Sequence, residues 1–278
     1  MSEYRAPVKD MRFVITELAG LERVAELSGF EEATPDLVEA VLEEASQLAG
    51  EVIAPTNILG DQQGSTVKDG QVYVPAEFSE AYKQFVESGW GGLAMNPEYG
   101  GQGLPETLGV AVTEMLQSAN LSWSLCAMLT QGAIHAVEAH ASDELKAIYL
   151  EKMISGEWTG TMNLTESQAG SDLSLVRSLA RPEGDVWKVT GQKIFITWGD
   201  HDMTDNIVHL VLARTPDAPP GIKGLSLFLV PKRQVEADAS LGEQNGVSTV
   251  SVEHKLGIHG SPTCVLSFEE STGYLIGE

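Results

Sequence analysis

Two short stretches combine residue types that could hold a flat, phosphorylated ligand. In Met162-Asn163-Leu164-Thr165-Glu166-Ser167-Gln168-Ala169-Gly170-Ser171-Asp172, extended-type residues run into a turn of small ones. Ala169-Gly170-Ser171 lets backbone amides come close to a ligand. Such a turn can form a nest of N–H donors for a phosphate, to which Ser171 adds a hydroxyl. Thr165 offers a second hydroxyl toward whatever carries the phosphate. On spacing alone the stretch reads first as a polar corner between strand and loop, ahead of a ligand site. Further along, Gly191-Gln192-Lys193-Ile194-Phe195-Ile196-Thr197-Trp198-Gly199 opens with a turn and continues as a short apolar strand. The two-residue period of a strand puts Phe195 and Thr197 on one face. A ring beside a hydroxyl suits a heteroaromatic with polar edges.

Those stretches need elements to hold them, and the first half of the chain has helical periodicity. Thr34-Pro35-Asp36 is a helix start, with an N-cap hydroxyl, a proline in the first turn and an acid at the positive dipole end. Leu37, Val38, Val41, Leu42, Ala45, Leu48, Ala49, Val52 and Ile53 follow on one face, and Pro55 is expected to end the helix. Phe78, Tyr82, Phe85 and Val86 mark another, stopped at Gly89. Leu108, Val112, Met115 and Leu116 begin one after Pro105. Residues 121–139 are apolar nearly all round, which predicts a central buried helix. Ser142 caps a last helix that ends at Gly156.

From Glu157 the period changes to two. Arg177–Arg181 and Val186–Thr190 flank Pro182-Glu183-Gly184-Asp185 as a hairpin, and Ile207–Arg214, Leu225–Pro231, Val247–Glu253 and Thr263–Phe268 alternate. The expected fold class is α+β: a helical domain over 34–156, then a β domain over 157–278 forming a small barrel or sandwich. Residues 1–33 precede them as an N-terminal extension, which by its residues alone is a surface arm.

Between the helices lie Gly89-Trp90-Gly91-Gly92-Leu93 and Asn96-Pro97-Glu98-Tyr99-Gly100-Gly101-Gln102-Gly103-Leu104-Pro105. Neither shows the G-x-G-x-x-G spacing after a strand that marks a dinucleotide site, and alone the segment is a rigid, turn-rich loop. Taken with the Met162 and Gly191 stretches, it resembles the acyl-CoA dehydrogenase family, whose Pro-Glu and glycine loop shapes the acyl end of the active site. Tyr4-Arg5-Ala6-Pro7-Val8-Lys9-Asp10-Met11-Arg12-Phe13 resembles an extension found in a larger-subunit branch of that family. That branch includes fatty-acyl-CoA enzymes and the 3-methylmercaptopropionyl-CoA dehydrogenases.

The resemblance implies FAD as cofactor and an acyl-CoA thioester as substrate, oxidised to the trans-2-enoyl-CoA, with an electron-transfer flavoprotein as acceptor and a homo-oligomeric enzyme. It implies that Met162, Asn163, Leu164 and Thr165 line the flavin, and that Gly170 and Ser171 reach a phosphate of the cofactor or of CoA. Phe195, Ile196 and Thr197 would pack by the ring with Thr197 near N5, and Tyr99, Gly100 and Gly101 would border the acyl group. Two departures stand out: Thr165-Glu166-Ser167 where the family has Thr-Glu-Pro, and Phe195-Ile196-Thr197 where it has Trp-Ile-Thr. Lys255 and Ser261 match a stretch beside the CoA nucleotide or a subunit interface, although a solvated loop describes them as well. The family's catalytic base is a glutamate of a C-terminal helical bundle that these 278 residues do not contain. No catalytic residue is therefore expected here; the chain reads as a fragment that holds FAD weakly and does not turn over. Glu166 is expected to be structural, as is His209, and no spacing supports His201 as an acid or base.

Composition narrows the alternatives. With 17 Lys and Arg against 40 Asp and Glu, the formal charge of −23 argues against nucleic acid or anionic membrane surfaces as partners. Cys126 and Cys264 suggest neither a disulfide framework nor a zinc site, and fit a reducing cytoplasm. No apolar run is long enough to span a membrane. A non-catalytic acyl-CoA or flavin binder on the same scaffold is the competing expectation.

Overall fold

The computed structural model describes residues 4–277. Helices come first. Short helices α1 (Val8–Phe13) and α2 (Leu21–Ala25), joined by a π turn over Val14–Leu18, lay Met11, Ile15 and Leu21 into the helical core. Then α3 (Pro35–Gln47) starts where Thr34 Oγ1 accepts the Leu37 N–H at 3.3 Å, a cap contributing about 1 kcal/mol.

The chain does not break at Pro55, contrary to expectation. A π segment, Leu48–Ile53, follows α3 directly and leads into α4 (Ala54–Gln63), whose first turn holds the proline. Proline lacks an N–H, and its ring collides with the carbonyl four residues back in a regular α-helix. The wider π turn, with i→i+5 bonding, relieves that crowding and carries the helix on. Thr56 Oγ1 donates to the Ile53 carbonyl at 2.7 Å, and Asn120 Nδ2 donates to Thr56 Oγ1 at 2.8 Å, which secures the junction.

A small hairpin, β1 (Thr66–Lys68) with β2 (Gln71–Tyr73), leads to α5 (Ala76–Glu87), α6 (Glu106–Ala119), α7 (Leu121–His140) and α8 (Asp143–Ile154). Asn120 caps α7 by accepting the Trp123 N–H at 3.1 Å. As its composition predicts, α7 is central: it packs on α6, α8 and the first strand of the β domain.

That strand is β3 (Trp158–Asn163), followed by β4 (Leu179–Glu183), β5 (Val186–Thr197), β6 (Asn206–Arg214), β7 (Leu225–Pro231), β8 (Arg233–Val235), β9 (Leu241–Gln244), β10 (Val247–Glu253) and β11 (Thr263–Ile276). Seven of these form one sheet, in the order β10-β11-β5-β4-β6-β3, with β7 bridging β11 and β6. The bridge closes β5, β4, β6, β7 and β11 into a ring, so the β domain is a small barrel. The β4–β5 turn is Gly184-Asp185, tighter than the sequence suggests, because Pro182 and Glu183 pair with Trp187 and Val186.

Helices and barrel meet along two seams. Gly160 of β3 lies so close over α7 that a Cβ there would stand 2.5 Å from Ala133 Cβ, and its N–H donates to Thr130 Oγ1 at 3.0 Å. Trp198, just past β5, is buried in the helical core beside Phe78, with ring centroids 6.3 Å apart, and its Nε1 donates to the Ser122 carbonyl at 3.0 Å. Among the described residues no helix is long and apolar enough to cross a membrane.

Candidate functional site

The turn after β3 and the end of β5 are fastened side by side. Ile194 N–H donates to the Thr165 carbonyl at 2.9 Å. Lys193, whose side chain is 0% exposed, donates to the Leu164 carbonyl at 3.0 Å and to Glu166 Oε1 at 2.8 Å. The Glu166 carboxylate also accepts from Ser178 Oγ (2.6 Å), Ser178 N (3.0 Å), Arg177 N (2.8 Å) and Gln168 Nε2 (2.6 Å). Burial alone would raise the pKa of Glu166, but the Lys193 ammonium, the Ser178 hydroxyl and the Arg177 amide outweigh it and hold the carboxyl at about 2. Burial draws the Lys193 pKa down while Glu166 opposes that. Glu166 keeps its charge with all of these donors on its carboxylate, which makes it a structural group and a poor proton acceptor.

The hydroxyls singled out from the sequence have a different standing. Thr165 and Thr197 are partly buried and Ser171 is exposed, and none of the three side chains hydrogen-bonds to another described residue. Two buried oxygens on the same stretches have no partner among the described residues: Asn163 Oδ1, two residues before Thr165, and Thr263 Oγ1, whose residue pairs with Thr197 across β5 and β11. A Cβ built on Gly170 would meet no protein atom within 4 Å. An edge of free hydroxyls and amide-bearing small residues fits a ligand with phosphate and polar ring atoms, and the residues present suit FAD.

Period two does not survive in β5. Phe195 has φ +59° and Trp198 φ +53°, and the register against β11 shifts between Lys193, opposite Leu266, and Ile196, opposite Cys264. This is a β-bulge. It turns Lys193 and Ile196, three apart, both inward, and leaves Phe195 50% exposed. The expected reason for Phe195 and Thr197 sharing a face is thereby removed, since the alternation is interrupted at Phe195 itself. Ile196 packs in the barrel core and its carbonyl accepts the Gly199 N–H at 3.1 Å, so its side chain is turned away from any ligand at this edge.

Met162 pairs with Leu210 near the end of β3 and borders the same apolar cluster as Tyr99. The glycine loop is held rigidly. Gly101 N and Gly103 N donate to the Asn96 and Met95 carbonyls at 3.0 and 2.9 Å, and Asn96 Nδ2 reaches Glu138 of α7 at 2.8 Å. Gly100 is left-handed, φ +88°. Lys255 is exposed, whereas Ser261 is buried and its Oγ has no hydrogen-bond partner among the described residues.

The two histidines belong to the barrel interior. Met203 N–H donates to His201 Nδ1 at 3.2 Å, so the proton sits on Nε2, which faces Thr159 Oγ1 at 2.9 Å. His209 Nδ1 lies 2.7 Å from Thr161 Oγ1, to which Asn163 Nδ2 donates at 2.8 Å. Burial, with Lys232 nearby, pulls both imidazoles down to about 3. Lys232 itself pairs with buried Asp200. Sequence reasoning missed Lys193, although a lysine flanked by Ile194, Phe195 and Ile196 is itself a sign that a buried carboxylate must answer it.

Comparison with known proteins gives consistent matches along the chain. The family model described as acyl-CoA dehydrogenase, N-terminal domain, matches residues 36–157, and that for the acyl-CoA dehydrogenase middle domain matches 161–271. A 3-methylmercaptopropionyl-CoA dehydrogenase of Ruegeria pomeroyi is 49% identical over 99% of this chain and 47% of its own length. A butyryl-CoA dehydrogenase of Syntrophomonas wolfei is 37% identical over 100% of this chain and 47% of its own. The chain thus spans about half the length of these curated relatives. Among solved structures, a probable acyl-CoA dehydrogenase from Mycobacterium abscessus superposes with a TM-score of 0.70 at 26% identity, over 88% of this chain and 59% of that one.

Proposed function

The chain belongs to the acyl-CoA dehydrogenase family, and from that premise we propose that it binds FAD and takes part in the α,β-dehydrogenation of an acyl-CoA thioester. The observation that carries this is the set of Thr165, Ser171 and Thr197 hydroxyls, without a hydrogen-bond partner among the described residues, on two stretches that Lys193 and Ile194 clamp together. Thr165 and Thr197 would hold the polar edges of the ring. Ser171, with the amides about Gly170, would take a phosphate. When bound, FAD supplies the acceptor for the hydride that leaves the β-carbon.

The residues of this chain bind and orient. Glu166, held at about 2 by its donors, keeps its charge and is not the group that takes the α-proton. His201 and His209, neutral and engaged with threonines inside the barrel, are not either. Tyr99, Gly100 and Gly101 on their rigid loop would border the acyl group, and electrons would pass on to an electron-transfer flavoprotein from a homo-oligomeric enzyme.

The test is an anaerobic titration of the complete gene product with acyl-CoAs, short to long and including the methylthio-propionyl thioester, followed at the visible flavin band. Bleaching by one class supports the dehydrogenase and identifies its substrate class. A bound flavin that none of them bleaches favours a binder without turnover, and absence of flavin overturns the assignment of the three hydroxyls.

A further inference from the structure

We propose that Lys193 is a positioning residue for the cofactor, setting where Thr165 stands relative to the end of β5. The inference rests on the FAD assignment above.

The Lys193 ammonium touches the turn after β3 at two points. It bonds the carbonyl of Leu164, the residue before Thr165, and the carboxylate of Glu166, the residue after it. Ile194 N–H takes the carbonyl of Thr165 itself. Three consecutive residues are thus held from two consecutive residues of β5, and the free hydroxyl of Thr165 lies in the middle of the grip. Just beyond, the chain enters the bulge at Phe195 and reaches Thr197, then Trp198, which is locked to Ser122. Both ring-facing threonines therefore take their places from one short rigid segment whose inward anchor is Lys193.

Stability by itself does not call for this arrangement. Desolvating an ammonium and a carboxylate is expensive, and apolar replacements of a buried ion pair are often neutral or stabilising. What an apolar pair cannot do is aim. The Lys193 ammonium has directional donors and spends two of them on groups that flank Thr165, while Glu166 ties the same turn to Ser178 and Arg177. Lys193 acts through these neighbours and is not a catalytic residue.

The test uses the complete gene product and a double variant, Lys193→Met with Glu166→Gln, which removes both charges and strands neither. Circular dichroism and thermal melting report the fold; fluorescence titration reports affinity for FAD and, separately, for riboflavin. The expected result is an unchanged fold with both affinities weakened by the same factor, about tenfold, because the ring end is what has moved; that factor corresponds to roughly 1.4 kcal/mol. The visible flavin band should also broaden.

Wild-type affinity for both ligands in the folded double variant would overturn the proposal, leaving Lys193 a structural ion pair. Weakening of FAD alone would overturn it too, since the defect would then lie at the phosphates. Should the double variant not fold, Ser178→Ala removes one donor to Glu166 and keeps both charges. A smaller parallel loss, about threefold, is then expected, and no loss overturns the proposal. A wild-type protein that binds no flavin takes down the FAD assignment and this inference together.

Discussion

Helix and barrel approach closely at Gly160, and this allows a quantitative test. In Gly160→Ala the new methyl would begin 2.5 Å from Ala133 Cβ, 2.9 Å from Met153 Cε and 3.4 Å from Thr130 Cα. Carbon atoms rest about 3.5–4.0 Å apart, so β3 and α7 must separate by roughly 1 Å and Met153 must also swing away. Overpacking of this kind costs about 1–3 kcal/mol, which in a chain of this size lowers the melting temperature by about 2–4 °C per kcal/mol. The strand displaced is the one that runs into Met162–Thr165, so flavin affinity should fall as well. Ala133→Gly alone should cost about 1 kcal/mol of helix propensity. The two changes together should cost about that much and not their sum, a coupling of roughly 2 kcal/mol in a double-mutant cycle. Thermal and urea denaturation of the four proteins would measure it. A Gly160→Ala protein within 0.5 kcal/mol of wild type, or strictly additive single effects, would refute the close seam.

Three further outcomes are expected. Thr165→Val and Thr197→Val remove hydroxyls that no described side chain or backbone group uses; melting should move by less than about 0.5 kcal/mol while FAD affinity falls about three- to tenfold each, by fluorescence titration. His201 and His209 are held at about 3 when folded, below an unfolded value of about 6.5. Their contribution is therefore fully present above pH 6.5 and is lost as pH falls toward 3, about 2 kcal/mol each by pH 5. Urea melts across that range should show stability falling with acid, and His209→Gln should remove about half of the histidine-linked slope; an unchanged slope would contradict the buried neutral state. Gly101→Ala would drive a methyl into the Met95 carbonyl; it should lower stability by about 2 kcal/mol and loosen the loop, read as faster proteolysis between Gly89 and Pro105.

Much of the fold is legible in local chemistry. The Thr34 cap and the all-round apolar α7 each report what a few neighbouring residues prefer and form as expected. Leu225–Pro231 and Val247–Glu253 are strands at the expected bounds, although β7 is buried on consecutive residues from Phe228 to Pro231 and β10 shifts register between Thr249 and Ser251, so that neither alternates throughout. What is not legible depends on partners distant in sequence. Pro55 stops a helix only if the preceding turn stays α, and the π segment shows that it need not. Phe195 and Thr197 share a face only in an unbulged strand, and the bulge follows from how β5 meets β11. The link from Lys193 to Glu166 spans 27 positions and joins a strand to a turn, so no periodicity within either stretch contains it. The parallel pairing of β3 with β6 is hidden for the same reason.

Trp198 has a consequence for how the molecule comes apart. By sequence it belongs with the strands, but its indole fills space among helices, against Phe78 and under the Ser122 carbonyl. Phe78 is in turn covered from the barrel side by Gly260, where a Cβ would stand 2.7 Å from the ring. Each half of the chain thus completes the interior of the other. Removing the barrel would leave an indole-sized hole in the helices, and removing the helices would strand a large aromatic in water. The boundary drawn by the two family matches is a boundary of ancestry, not of cooperativity, and the halves should melt as one unit.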